Sequence, residues 1–192
     1  MQKSKSRDSL HEVAKKEGYK NILEVSTNSD NELGWKLSAF NLMVDFNGKK
    51  IPLESAFQGS KVFEGNIQYE DIYFKDAIKA KKDERLKDKK IIKFRFNEIE
   101  WDTEPKTSFY DYLYISTIYK NYPTLLKEVI KYKVFTDIAF NPKKSINCQA
   151  KSCAILVSLY YLGKLEEAIS SKEKFLKIVY DYKKKPEQKS LF

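Results

Sequence analysis

The sequence predicts a mainly helical α+β fold. Apolar residues recur at helical spacing over most of the chain, period-two alternation is confined to a few short runs, and no strand-then-helix unit repeats as a doubly wound sheet requires. A chain of 192 residues suffices for one domain with its own core and is short for two. With 42% hydrophobic and 33% charged residues, thirteen Tyr and twelve Phe, the composition is that of a folding chain.

Taken in order, residues 1 to 20 are polar, and Asp8 or Ser9 can cap a short helix with Leu10 and Val13 on one face; residues 1 to 8 are expected to be disordered. Residues 22 to 25 and 42 to 46 read as strands, the second followed by the hairpin signal Asn47-Gly48 and a return through Ile51. Pro52 suits the first turn of a helix running to about residue 63, with Leu53, Ala56, Phe57, Ser60 and Phe63 inward. The charge-dense stretch AIKAKKDERLKDKK reads as a solvated face between shorter helices. Residues 91 to 96, IIKFRF, alternate as a strand. Helical spacing resumes from 104 to 120, and a second helix follows Pro123 to about 132. Residues 136 to 145 form a loop ending at a cap, Ser145, from which a long helix runs to Leu162 and stops at Gly163. Two more helices, 164 to 169 and 171 to 183, precede a lysine-rich tail expected to be disordered over 184 to 192. The whole is one domain, with its core over about 20 to 170.

The net charge of +9 favours phosphate-bearing partners through long-range attraction. Only Arg7, Arg85 and Arg95 are arginines, however, and base-reading surfaces lean on the bidentate arginine fork, so a Lys-rich composition stands equally as a compositional bias. One histidine, His11, and two cysteines, Cys148 and Cys153, without a Cys-x-x-Cys pair argue against a protein zinc site, so no metal or cofactor is expected. No run approaches the roughly 18 apolar residues of a membrane helix, and no signal-peptide core is visible, so a cytoplasmic, non-membrane protein is expected.

Chemistry can sit at two places. On the helix opened by Pro52, Glu54, Phe57, Gln58 and Lys61 fall at i, i+3, i+4 and i+7, along the border of the buried stripe. Desolvation there pushes a carboxylate and an amine toward neutral pKa values, where proton transfer is useful. The ordinary alternative is that Glu54 complements the helix dipole and Lys61 snorkels. At the second place, Asn141-Pro-Lys-Lys-Ser-Ile-Asn, Lys143 and Lys144 precede a helix N-terminus near Ile146. A diphosphate can sit there with Asn141 and Asn147 bonding ribose or base. The alternative is a basic loop with a routine cap, and Asp137 has the same ambiguity. Trp101, within Glu-Ile-Glu-Trp-Asp, is either a platform for a base or core.

The stretch LSAFNLMVDFNGKKIPLESAFQGSKVF resembles the NADAR superfamily motif, in which a Ser-or-Asn-Phe segment, a hairpin and a Glu-x-x-aromatic-Gln-x-x-Lys-x-Phe helix follow one another. SFYDYLYISTIY and FTDIAFNPKKSINCQAKSCAILV look like the branch encoded beside DarT-type DNA ADP-ribosyltransferase toxins, and Trp101 falls where the family has a tryptophan. The likeness spans most of residues 9 to 165. It implies a multihelical NADAR-like domain that hydrolyses the N-glycosidic bond between ribose C1 and an exocyclic amine. In the toxin-linked branch that amine is guanine's, in DNA, with RNA or a free nucleoside as further substrates to consider and the cognate toxin as a potential partner. Members outside the branch act on a phosphoribosylamino pyrimidine and carry a Gly-rich loop where this chain has Phe-Asn-Pro-Lys-Lys. On this resemblance Glu54 and Lys61 are expected to be catalytic. Ser38, Phe57, Gln58, Trp101, Asp137, Asn141, Lys143, Lys144 and Asn147 are expected to bind substrate. A non-catalytic antitoxin that binds toxin or DNA is the alternative of a different kind.

Overall fold

The computed structural model describes residues 2–143 and 145–181. It begins with α1 (Gln2–Lys16). This helix reaches nearly to the N-terminus, where disorder was expected. Leu10 and Val13 are exposed, whereas Arg7 is buried, donating to the Asn28 carbonyl at 2.9 Å and pairing with Asp8 and Asp30. A buried guanidinium persists only when its N–H groups are satisfied, and these are.

The strand β1 (Ile22–Glu24) leads to α2 (Glu32–Lys36), capped by the Asn31 side chain. The helix lies so close to β1 that a Cβ on Gly34 would stand 1.9 Å from the Glu24 carbonyl oxygen. The hairpin of β2 (Met43–Phe46) and β3 (Lys49–Pro52) forms as expected. Asn47 and Gly48 both have positive φ, as a tight turn matching strand twist requires.

Immediately after Pro52 comes α3 (Leu53–Gly59), buried along its whole length. It is shorter than the sequence pattern suggested. At Gly59 a Cβ would stand 2.6 Å from the Tyr73 ring, and Ser60 turns its hydroxyl back onto the Ala56 carbonyl at 2.6 Å. The chain then enters β4 (Lys61–Phe63), followed by the short β5 (Ile67–Gln68) and by α4 (Ala77–Lys81). With β6 (Ile91–Phe96) and β7 (Ile99–Asp102) these strands form an antiparallel sheet in the order β5-β4-β6-β7.

The centre of the core is α5 (Ser108–Asn121). Phe109, Tyr110, Leu113, Tyr114, Ile115 and Ile118 are all buried on it. Tyr114 satisfies its hydroxyl by donating to the Leu37 carbonyl at 2.6 Å. Around it pack α3, α6 (Pro123–Val129), α7 (Gln149–Tyr161), α8 (Leu165–Ile169) and α9 (Lys172–Tyr180). Between α6 and α7 the strand β8 (Val134–Thr136) pairs in parallel with β1, Ile22 opposite Val134. Helix α7 starts at Gln149 with Cys148 as cap, not at Ser145, whose hydroxyl serves the backbone of Asn147 within the loop. The fold is thus α+β and mainly helical, with short strands in small sheets. Residues 182–192, which contain the tail expected to be disordered, lie outside the described residues.

Candidate active site

The first turn of α3 places Glu54 inward, 6% exposed, and one turn on Gln58 is 7% exposed. The Gln58 amide donates to Glu54 Oε1 at 2.9 Å. Because the helix stops at Gly59 and Lys61 pairs with Phe94 of β6, the lysine leaves a strand, and its ammonium donates to Gln58 Oε1 at 2.6 Å. Glu54 and Lys61 therefore meet through one amide rather than along one helix face. The Lys61 ammonium also stands 5.3 Å above the Phe57 ring. Burial pushes the lysine below its ordinary pKa; the Glu54 carboxylate opposes this, and the ammonium of Lys81 adds to it.

All three side chains face a cavity of about 790 Å3. Its apolar wall contains Phe57, stacked on Phe94 with ring centres 5.5 Å apart and meeting Tyr110 edge-on at 5.1 Å. The Tyr110 hydroxyl is held protonated far above the usual tyrosine range, by burial first and then by the charges of Glu54 and Asp137.

The opposite wall is the loop between β8 and α7. Its root is fixed by Glu24, 1% exposed, whose carboxylate accepts from Ser26 Oγ and Thr136 Oγ1 at 2.6 Å and from the Ile138 N–H at 2.9 Å. Asp137 then points into the cavity, accepting from the N–H groups of Ala139 and Phe140 at 3.1 Å and from the Gln149 amide at 3.3 Å. Burial, and secondly the nearby Glu24 charge, raise its pKa above the usual carboxylate value. Gln149 ties this wall to the first by accepting the Ala39 N–H at 2.6 Å, and Ala39 in turn accepts the Glu54 N–H at 2.9 Å.

The cavity brings together Ser38, Glu54, Phe57, Gln58, Lys61, Asp137, Asn141, Lys143 and Asn147. Lys144 lies outside the described residues. Trp101 stands elsewhere: on β7 it is 2% exposed, packed against Tyr112 and Phe109 with ring centres 4.8 and 5.8 Å away. It is a core residue rather than a platform in this cavity, because β7 turns that side chain toward α5. The phosphate position expected over a helix start near Ile146 is displaced as well, since Asn141, Lys143, Ser145, Ile146 and Asn147 form a loop ahead of the helix.

Sequence reasoning passed over Lys81, Asp83 and Lys87, which wall the cavity although they belong to the charge-dense stretch. The buried alanines Ala77 and Ala80, on a helix capped by Asp76, were the one signal that this segment docks. Lys81 lies 4.0 Å from Glu54 Oε1 and 5.1 Å above the Phe40 ring. Asp83 is held well below the usual carboxylate range, chiefly by Arg85 at 2.8 Å and also by Lys75 at 2.6 Å.

A buried carboxylate, an amine of lowered pKa and a roomy half-polar cavity suit acid-base or amine-nucleophile chemistry on a nucleotide-sized molecule. The sequence model of a family described as DarT1-associated NADAR antitoxin matches residues 1–189. No match is found among curated proteins.

Proposed function

The chain belongs to the DarT1-associated NADAR antitoxin family, and from that membership we propose that it acts as an N-glycosidase, releasing ADP-ribose from the exocyclic amine of guanine in DNA and so reversing the toxin's modification. The observation that carries the reading is the chain Glu54–Gln58–Lys61 opening into a cavity whose far wall presents Asn141, Lys143 and Asn147. Guanine with an attached ADP-ribose is of a size such cavities accept, and a lysine beside the diphosphate matches its charge. The free thiols Cys148 and Cys153 suit a reducing cytoplasm. Among the described residues no helix is long and apolar enough to cross a membrane.

In the reaction, the lone pair on the guanine amine opens the ribose ring, giving a C1 iminium that keeps its N–H proton, while the ring oxygen takes a proton from solvent. Unprotonated Lys61 adds to C1. Glu54 takes the proton this addition leaves on the lysine nitrogen and hands it to the guanine nitrogen, whose bond to C1 then breaks. Water adds to the resulting lysine iminium, losing one proton to Glu54, which returns it to the lysine nitrogen; as that bond breaks the C1 hydroxyl gives its own proton to solvent and the aldehyde closes back to ribose. Guanine and ADP-ribose leave, and both side chains are restored. The second route leaves Lys61 unbonded, with Glu54 acting as acid to the departing amine and then as base to water. The lowered pKa of Lys61 favours the first.

The test is a guanine-ADP-ribosylated oligonucleotide incubated with the protein, with and without borohydride, followed by mass spectrometry. Free ADP-ribose and a reduced adduct on Lys61 are expected. Release without an adduct leaves the second route. No release from DNA, with turnover of a free phosphoribosylamino pyrimidine, would make the protein an enzyme of small nucleotides instead. No turnover of either would leave a binding antitoxin.

A further inference from the structure

Glu54 faces two ammonium groups. Lys61 reaches it through Gln58, and Lys81 approaches its Oε1 directly at 4.0 Å. One carboxylate neutralises one cation, and a surplus charge costs more the less solvent surrounds it. The surplus falls on the lysine with less solvent. The Lys81 side chain is 56% exposed, whereas burial lowers the pKa of Lys61 and the Lys81 charge lowers it further. Asp83 does not compete for Lys81, because Arg85 and Lys75 already occupy it. The Phe40 ring, 5.1 Å from the Lys81 ammonium, holds that group at the cavity side. Among the described residues, the other charged or titratable groups around the cavity are Asp83 and Lys87 after α4, Asp102 at the end of β7, Tyr110 on α5, and Asp137 and Lys143 on the loop opposite.

We propose that Lys81 is a positioning residue of the N-glycosidase: as the counter-ion of Glu54 it leaves Lys61 as the free amine that attacks the ribose. This rests on the reading of Lys61 as nucleophile. Removing the Lys81 charge returns Glu54 to Lys61 as its partner, and Lys61 then stays protonated to higher pH.

The experiment follows two quantities across roughly pH 6 to 10, a span that brackets ordinary amine titration. These are the single-turnover rate of ADP-ribose release and the labelling of Lys61 by an amine-reactive anhydride, read by mass spectrometry without substrate. In Lys81→Met, and in Lys81→Gln as the polar control, both curves are expected to move to higher pH, with a several-fold loss near neutrality and recovery to the parental level at the alkaline end. Lys81→Arg keeps the charge and stays near the parental curves. A loss of the same factor at every pH would mean that Lys81 only supports the fold, and a raised KM with unmoved curves would mean that it only grips substrate. Either result overturns the proposal. If the parental protein forms no borohydride adduct while releasing ADP-ribose, the nucleophile reading has failed and the proposal falls with it. An adduct with unmoved labelling sinks the proposal alone.

Discussion

Glu54 has two duties in one position, accepting from Gln58 and standing against the Lys81 ammonium. Glu54→Gln keeps the shape and removes the proposed proton shuttle. Since general acid-base catalysis contributes about 10²- to 10⁴-fold, turnover of ADP-ribosylated guanine is expected to fall by that order with substrate binding nearly retained. A parental rate in this variant would remove Glu54 from the mechanism. On the proposed amine route Lys61 fixes the sign of the pH dependence: the amine reacts unprotonated, so the rate is expected to rise with pH through a midpoint below the ordinary lysine value, because burial has lowered it. A rate that falls over that interval would contradict the amine route.

The elements explain which parts could be foreseen. The Asn47-Gly48 hairpin, the strand IIKFRF and the helix around Tyr114 were legible because each is written in neighbouring residues. The end of α3 was not. The chain leaves the helix where it joins the sheet, Ser60 accepting the Arg95 N–H at 2.8 Å and Lys61 lying opposite Phe94, while Gly59 admits the Tyr73 ring, which a Cβ would meet at 2.6 Å; no helical period reveals these contacts. Gly59→Ala is therefore expected to destabilise the protein by about 1–3 kcal/mol, the usual cost of overfilling a packed site, and to reduce turnover further by moving Lys61. Unchanged thermal unfolding would show that Tyr73 yields easily. Trp101 and Lys81 were misjudged for the same kind of reason. Strand pairing turns the tryptophan into the core, and the docking of α4 brings a lysine from a seemingly solvated run to the cavity. In that run Asp83 also bears on acid stability. The folded state holds its carboxyl below the usual range, so its contribution is present above the ordinary carboxylate pKa of about 3.9 and is lost as pH falls through the lower folded value. Asp83→Asn should be less stable than the parent at neutral pH, with the gap closing in strong acid; a gap constant with pH would argue against the link.

At the scale of the whole molecule, the net charge of +9 and the lysine on the cavity's loop wall bear on the same partner. Lys143→Ala is expected to raise KM for a modified oligonucleotide and to flatten its rise with salt, because phosphate neutralisation carries both effects. An unchanged salt slope would place the phosphates elsewhere. The walls themselves come from distant parts of the chain: Glu54 stands on α3 and Lys61 on β4, while Asp137 and Asn147 follow the parallel pairing of Ile22 with Val134, and Gln149 ties Asp137 back to Ala39. A ribosome must therefore translate past α7 before its product can close a working pocket. A nascent chain that stops short of α7 lacks the Gln149 amide that joins Asp137 to Ala39, and under the proposed function it would not release ADP-ribose.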